Sequence, residues 1–543
     1  MKTLLRLLFF GLMIIMTTSS KSITTRQKIN PILPGFYPDP SICRVGDDYY
    51  LINSSFEWFP GIPIHHSKDL VHWDLIGYGL NRPSQVTFKT GLKDHFGVFA
   101  PTIRYHNGTF YIINTLVGAG GNFYITATNP AGPWSAPHWI KDAIGIDPSL
   151  FWDADGRAYY VGQGNIEPNA KVHWGVWLQE IDLKEGKLIG KRKQLTLGSR
   201  PESKWTEGPH LYKIDGKYVL LVAEDGTEFE HSVVIFNSDK LWGPYKPIKE
   251  NPVMTHRNLP KDYPIRATGH ADLVQTQNGD WWSVLLAKRY YNGYMPLSRE
   301  TFLAKINMIN KDGEVYPEYN DGCGKMLFKM EVPKLGDAYS AVKLKSKSSV
   351  WRDDFTSKKL NLEWNFLRTP VTKWWKTGGG ELEIAIRKKK LTDLANPSFI
   401  ARRINSFKFE ASTSLVLDMN NQMNAAGMAI YRDSKHSVQL MLSENYVKLV
   451  ENNGKMVDNV LERVRFRGNR VLFNIKCDGD NFTFYYGTSE DNMKEIGGKV
   501  SMGLISDSDT VKYNGSYVGM YAVGMGDVKA NAHFQWFSLK NRK

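Results

Sequence analysis

The sequence predicts an all-β protein, a five-bladed β-propeller followed by a jelly-roll-like β-sandwich. One hairpin pattern recurs five times between residues 30 and 332, and no long stretch shows the hydrophobic period of a helix. The length of 543 residues also exceeds what one hydrophobic core usually serves. We therefore expect a propeller at residues 30–332 and a sandwich at 350–543, with a Lys/Ser-rich linker at 343–349.

The first twenty residues predict a secretory signal peptide. A short basic start (MKTLLR) precedes an apolar run at residues 7–16 and four small polar residues at 17–20. The apolar run is too short to span a bilayer. We expect an exported protein, periplasmic or secreted, with no membrane partner once the peptide is cleaved.

The repeated unit of the first domain is a turn pair followed by an aromatic or β-branched strand. Asn-Gly and Asp-Gly are strong hairpin signals, because type I′ turns need positive φ angles. The copies recur about every 50 to 60 residues, which suits a four-stranded blade with its loops. They lie at residues 46–52, 107–113, 155–161, 215–221 and 278–284.

The residues from 350 onward favour a β-sandwich. Short strand-like runs, such as 381–386 and 471–475, are separated by turns rich in Gly, Asn and Asp.

Charge and cysteine content exclude several functional classes. The formal net charge is +14, but the basic residues are spread along the chain apart from one run at 387–390, and no nucleic-acid-binding motif is present. We therefore expect no nucleic-acid partner. Cys43, Cys323 and Cys477 are too few for a disulfide framework and lack zinc-ligand spacing. At most one bridge is expected, between a pair that the sequence leaves open.

One position of the repeat carries side chains that should meet on the propeller axis. It lies eight or nine residues before each turn, and equivalent positions on innermost strands converge there. In blade order its occupants are Asp39, Phe99, Asp147, Glu207 and His270. Mutual repulsion separates the pKa values of clustered acids, leaving a protonated donor beside an ionised base. The repeat therefore predicts general acid/base chemistry in a central funnel.

Motifs around these acids resemble glycoside hydrolase family 43, and the resemblance covers nearly all of the mature chain. The motifs are residues 30–42 (NPILPGFYPDPSI), 55–61 (SFEWFPG), 64–73 (IHHSKDLVHW), 146–151 (IDPSLF), 206–211 (TEGPHL), 297–301 (LSRET) and 360–368 (LNLEWNFLR).

The resemblance implies an inverting exo-glycosidase for pentoses that requires no cofactor. By position, Asp39 is the implied general base, Glu207 the general acid, and Asp147 the residue that tunes and orients the acid. Some relatives hold Ca²⁺ near the axis with a histidine, and His270 is the residue here that would do so. The implied sugar-binding residues are Phe56, Phe99, His270, Arg299 and Tyr513.

Two departures from the β-xylosidase pattern reshape the implied pocket. Residues 99–101 read Phe-Ala-Pro in place of Trp-Ala-Pro, and residues 513–515 read Tyr-Asn-Gly in place of Phe-Thr-Gly. The chain thus resembles the arabinofuranosidase-type relatives more closely. Three tryptophans are expected to pack within the fold rather than hold sugar: Trp152, Trp174 and Trp177.

The expected function is removal of terminal α-L-arabinofuranosyl residues from plant cell-wall polysaccharides or their oligosaccharides. The alternatives are a β-xylosidase acting on xylo-oligosaccharides, a bifunctional enzyme, and a non-catalytic sugar-binding propeller. The expected partner in each case is an arabinose- or xylose-containing glycan.

Overall fold

The structure, a computed structural model, describes residues 26–335, 350–418, 423–443, 445–507, 513–525 and 530–542. The predicted signal peptide and the predicted linker at 343–349 lie outside these residues. Strands dominate the described part of the chain, whose helices are two short 3₁₀ turns, Glu490–Asn492 and Met502–Ile505. No helix among the described residues is long and apolar enough to cross a membrane.

The first domain is built from short antiparallel strands. They are β1 (Gln27–Lys28), β2 (Ser41–Val45), β3 (Asp48–Ile52), β4 (Trp58–Phe59), β5 (Gly61–Ser67), β6 (Asp74–Leu80), β7 (Gly97–Val98), β8 (Thr102–His106), β9 (Thr109–Val117), β10 (Gly121–Ala127), β11 (His138–Trp139), β12 (Ser149–Trp152), β13 (Ala158–Gln163), β14 (Val176–Asp182), β15 (Lys187–Thr196), β16 (Glu207–Ile214), β17 (Lys217–Glu224), β18 (Ser232–Ser238), β19 (Lys246–Pro247), β20 (Met254–Thr255), β21 (Ile265–Gln275), β22 (Trp281–Arg289), β23 (Arg299–Lys311), β24 (Glu314–Tyr319) and β25 (Lys329–Met330).

These strands form the five predicted blades. The strand orders are β2-β3-β5-β6, then β7 and β8 on β9 followed by β10 and β11, then β12-β13-β14-β15, then β16-β17-β18 with β19 and β20, and finally β21-β22-β23-β24. Each predicted turn closes the first hairpin of its blade: Val45 pairs with Asp48 across residues 46–47, and Ile214 pairs with Lys217 across residues 215–216. The propeller prediction is confirmed.

Two sets of contacts close the ring of blades. Asp272 on β21 accepts hydrogen bonds from Ser41 Oγ at 2.7 Å, Arg104 Nη1 at 2.8 Å and Tyr212 Oη at 2.5 Å. This buried carboxylate thereby joins the innermost strands of four blades. At the chain ends of the domain, β1 pairs with β25, and Leu33 bridges to Thr301 on the last blade.

The second domain contains two packed sheets. Its strands are β26 (Val350–Asp353), β27 (Asn365–Leu367), β28 (Trp375–Gly378), β29 (Glu381–Ala385), β30 (Ser398–Arg403), β31 (Lys408–Leu417), β32 (Ala425–Asp433), β33 (His436–Ser443), β34 (Tyr446–Asn453), β35 (Asn459–Arg465), β36 (Arg470–Asp478), β37 (Asn481–Gly487), β38 (Met493–Ser501), β39 (Tyr517–Val523) and β40 (Asn531–Asn541).

The sheets have the orders β28-β29-β40-β31-β36-β37-β38, with β26 also on β40, and β35-β34-β33-β32-β39-β30-β27-β4. A large apolar core lies between them. The predicted sandwich is confirmed, and the runs predicted at 381–386 and 471–475 are β29 and part of β36.

The propeller supplies one edge strand of the sandwich. Strand β4, from the first blade, pairs with β27, with Phe59 opposite Phe366. The indole of Trp58 stacks on Tyr517, with ring centroids 3.5 Å apart. Arg403 Nε donates a 2.7 Å hydrogen bond to the carbonyl of Phe36, the residue directly before Tyr37. The two domains are therefore held firmly together, while the domain limits predicted at 30–332 and 350–543 stay predictions.

All three cysteines are free, two of them buried and Cys323 exposed, so the single bridge left open by the sequence does not form in this structure.

Candidate active site

The predicted site residues border one cavity of about 510 Å³ on the propeller axis. The sandwich contributes Tyr513 to the same cavity. The predicted members present in its lining are Asp39, Phe56, Phe99, Asp147, Glu207, His270, Arg299 and Tyr513.

Four inner strands enter the cavity through the same backbone kink. Asp39, Asp147 and His270 have φ angles of 51°, 51° and 50°, and Gly208, next to Glu207, has 57°. Left-handed backbone costs about 1–3 kcal/mol in residues other than glycine, and such residues cluster at functional sites. The left-handed residue carries the site side chain in three blades, and in the fourth it is Gly208, the residue after Glu207.

Asp39 is held in one orientation by two donors. It is 4% exposed. Ser54 Oγ donates to its Oδ2 at 2.5 Å, and Arg299 Nη1 donates to its Oδ1 at 2.7 Å. Arg299 also donates to the Tyr513 carbonyl at 3.1 Å and lies 5.0 Å from the Phe56 ring centroid. The Arg299 guanidinium thus contacts the proposed base Asp39, the aromatic ring of Phe56 and the backbone of the sandwich domain.

Glu207 is half-buried at the cavity wall. Withdrawal from water raises the pKa of its carboxyl to about 8, the negative charge of Asp39 acts in the same direction, and Arg299 opposes both. A carboxyl with this pKa is mostly protonated at neutral pH, which is the form a general acid needs.

Asp147 interacts strongly with Glu207. Burial raises the pKa of Asp147 well above its usual range, and the charges of Glu207 and Asp39 raise it further. The Gly208 amide donates to Asp147 Oδ2 at 3.2 Å, a bond that favours the ionised form. Within the described residues no hydrogen bond to the Glu207 carboxyl is present, so we assign the shared proton to Glu207. The hydrogen bond from the Gly208 amide also fixes the backbone next to Glu207.

His270 packs flat on the backbone that carries the acid. A Cβ at residue 208 would lie 2.9 Å from His270 Cε1, so only glycine fits there. Burial lowers the pKa of His270, which keeps the imidazole neutral.

Comparison with known proteins decides the family. Residues 29–315 match the model of glycosyl hydrolases family 43, and residues 352–540 match the β-xylosidase C-terminal concanavalin A-like domain. The chain belongs to glycoside hydrolase family 43.

Relatives in this family carry both pentosidase names. A xylosidase/arabinosidase of Butyrivibrio fibrisolvens is 41% identical, over 77% of this chain and 80% of the relative. A non-reducing end α-L-arabinofuranosidase of Bacteroides ovatus is 36% identical, over 96% of each chain. The structure of a xylan β-1,4-xylosidase from Bacillus halodurans superposes with a TM-score of 0.87 at 34% identity, covering 95% of this chain and 100% of that one. This family 43 protein is therefore a glycosidase, and its relatives are named as xylosidases and arabinosidases.

The prediction of calcium at His270 is not tested by the described residues. Ca²⁺ prefers six to eight oxygen ligands. In the described part of the chain, the cluster with metal-ligand geometry is Glu381, Glu383 and His533 in the sandwich, away from the axis. We derive no catalytic step through a metal, and calcium at the axis stays a prediction.

Four features of the family 43 site are not predicted by the sequence. His95 and Trp205 border the cavity, as do residues 225–231, which follow β17. Asn514 is buried, and its Nδ2 donates to Glu57 Oε1 at 2.7 Å across the domain interface. Burial raises the pKa of Glu57 to about 8. The only sequence signal was proximity, since Glu57 follows Phe56, Asn514 follows Tyr513, and Trp205 stands two residues before Glu207.

Proposed function

We propose that the protein is an inverting, exo-acting glycoside hydrolase that removes terminal α-L-arabinofuranosyl residues from plant cell-wall polysaccharides or their oligosaccharides. The observation that carries this proposal is the cavity itself, in which three carboxyl groups with different hydrogen-bond partners face one small volume beside Arg299. Loops from both domains border it, which favours binding of a chain end over a through-running polysaccharide.

The geometry supports one division of labour among the acids. Asp39 takes a proton from water as that water attacks the anomeric carbon. Glu207 gives its proton to the departing glycosidic oxygen. Asp147 fixes the Gly208 backbone and, while ionised, raises the proton affinity of Glu207. In an inverting enzyme the water must lie between base and sugar, on the face opposite the acid.

Two cavity residues support arabinofuranose as the bound sugar. Phe99 stands where the β-xylosidase pattern has tryptophan, and its ring lies 5.2 Å from Phe56. Tyr513 stands where that pattern has phenylalanine. The Bacteroides ovatus relative that matches 96% of the chain bears an arabinofuranosidase name. The second candidate is β-xylosidase, favoured by a Bacillus subtilis relative of that name, 31% identical over 94% of this chain and 99% of the relative.

Product analysis separates these candidates. Paired nitrophenyl α-L-arabinofuranoside and β-D-xyloside, followed by arabinoxylan, arabinan and xyloglucan fragments, should yield arabinose as the dominant product. Release of xylose alone would support a β-xylosidase. Release of both sugars would support a bifunctional enzyme. Sugar binding without release of either pentose would support a non-catalytic propeller. Asp39→Asn, purified in parallel, is the control and should release neither pentose.

We also propose export to the periplasm or medium, on the basis of the apolar N-terminal segment. Fractionation of cells producing the full chain tests this, because retention in the cytoplasm with residues 1–20 still attached would contradict it.

A further inference from the structure

Trp205 is an exposed indole beside the proposed acid. It is 53% exposed, the largest exposed fraction of any Phe, Tyr or Trp side chain among the described residues. It borders the same cavity as Glu207 and precedes it by two residues. Covering aromatic surface is favourable, and exposed apolar surface at a cavity rim marks a binding site.

The position of this indole is fixed before any ligand arrives. Lys204 N donates to Asp225 Oδ1 at 3.1 Å, and Asp225 N donates to the Lys204 carbonyl at 2.6 Å. Arg200 holds the other Asp225 oxygen at 2.6 Å. A Cβ on Gly226 would lie 3.2 Å from the indole Cδ1, so the ring rests against bare backbone. A fixed side chain loses little conformational entropy on binding.

A second tryptophan backs the first. The rings of Trp174 and Trp205 have centroids 5.5 Å apart and planes inclined at 48°. Trp174 was expected to pack within the fold, as Trp177 does, fully buried and stacked on Tyr160. Trp174 is instead only half-buried, and its ring extends the aromatic surface behind Trp205.

We propose that Trp205, backed by Trp174, is the platform for the first sugar of the leaving group, and that this sugar is a pyranose. The inference rests on the proposed function. Glu207 gives its proton to the glycosidic oxygen, so the leaving group departs past Glu207, where the exposed indole lies. A pyranose chair offers a flat face of C–H groups that matches an indole, and many small dispersion contacts then add up. A furanose ring is smaller and puckered, so it covers less of the indole face.

The substrate class follows from this platform. The enzyme removes arabinofuranose from a pyranose backbone, such as a xylose- or glucose-based chain, in preference to arabinan, where the leaving sugar is itself a furanose.

The test compares three substrates that share the arabinofuranosyl group and differ in the leaving group. These are an arabinosylated xylo-oligosaccharide, an α-1,5-arabino-oligosaccharide and methyl α-L-arabinofuranoside. Nitrophenyl glycosides are avoided, because a flat aromatic leaving group would also stack. Trp205→Ala should lower kcat/KM about tenfold on the xylo-oligosaccharide, the scale of one aromatic contact, and chiefly through KM. Trp205→Ala should change kcat/KM on the methyl glycoside little. Trp205→Phe should keep most of the activity on the xylo-oligosaccharide.

Trp242→Ala is the matched control, since Trp242 is also exposed but does not border the cavity. An equal loss on all three substrates, or no loss on any, would overturn the platform. A wild type that prefers the arabino-oligosaccharide would overturn the pyranose assignment.

A binding measurement distinguishes failure of the platform from failure of the proposed function. Calorimetry with an arabinosylated xylo-oligosaccharide is run on Asp39→Asn with and without Trp205→Ala. Weaker binding in the double variant, with no pentose release by the wild type, overturns the function alone. Equal binding of the oligosaccharide by the single and double variants, with pentose release by the wild type, overturns the platform alone.

Discussion

Replacing Asp147 by Asn is predicted to move the basic limb of the pH–activity profile toward acid. The limb reports loss of the proton that Asp147 and Glu207 share, which we assign to Glu207. Under that assignment Asp147 is ionised, and its negative charge helps to retain the proton. With a pKa of about 8, Glu207 is protonated in about 90% of molecules at pH 7. At its ordinary value of 4.5 the fraction would be about 0.3%.

A loss of about one pKa unit is expected when a like charge is removed from a neighbouring buried site. At pH 8 the protonated fraction of Glu207 then falls from about one half to about one tenth, so kcat/KM falls about fivefold at that pH beyond any loss at the optimum. The assay is kcat/KM on an arabinosylated oligosaccharide from pH 5 to 9.

Glu230→Gln is the matched control for this shift. Glu230 borders the same cavity but is exposed, so its charge is screened by water. A basic limb that stays in place in Asp147→Asn, or that moves equally in Glu230→Gln, would refute the assignment of the shared proton.

Three further predictions concern stereochemistry, stability and the second domain. Proton NMR at early times should show β-arabinofuranose as the first product from an α-linked substrate; α-arabinofuranose appearing first would contradict the roles of Asp39 and Glu207. Burial raises the pKa of Glu57 from 4.5 to about 8, so the folded state keeps a proton that the unfolded chain releases, and stability falls as pH rises through that window. Glu57→Gln should therefore show a smaller decrease in Tm from pH 5 to pH 8 than the wild type, and an unchanged decrease would count against this. A chain ending at residue 335 lacks the sandwich domain, whose Tyr517 covers the indole of Trp58, and should be insoluble or inactive. A soluble truncated form with normal kinetics would contradict this.

The fold could be predicted largely because its signals are local. An Asn-Gly or Asp-Gly pair favours its turn through its own φ preferences. The four such pairs, and Gly46-Asp47 in the first blade, all lie in turns that close hairpins. The repeat then supplied a frame in which Asp39, Asp147, Glu207 and His270 share one position, and the structure places these four side chains around one cavity.

The remaining features depend on contacts between distant parts of the chain. Strand β4 has two residues and joins a sheet whose partner strand lies about 300 residues later. Glu57 and Asn514 are ordinary polar residues until the domain interface buries them together. The exposure of Trp205 follows from the pairing of residues 204 and 225, which no repeat offset reveals.

The central claim, that Glu207 is the general acid and Asp39 the general base, is tested most directly by leaving-group dependence. Dinitrophenolate departs without a proton, whereas a sugar alkoxide does not. Glu207→Gln should lose about 10² to 10⁴-fold in kcat on an arabinosylated oligosaccharide and far less on the dinitrophenyl glycoside. Asp39→Asn removes water activation, which every substrate needs, and should fail on both. An Asp39→Asn enzyme that stays active on the dinitrophenyl glycoside, beside a Glu207→Gln enzyme that does not, would contradict the account.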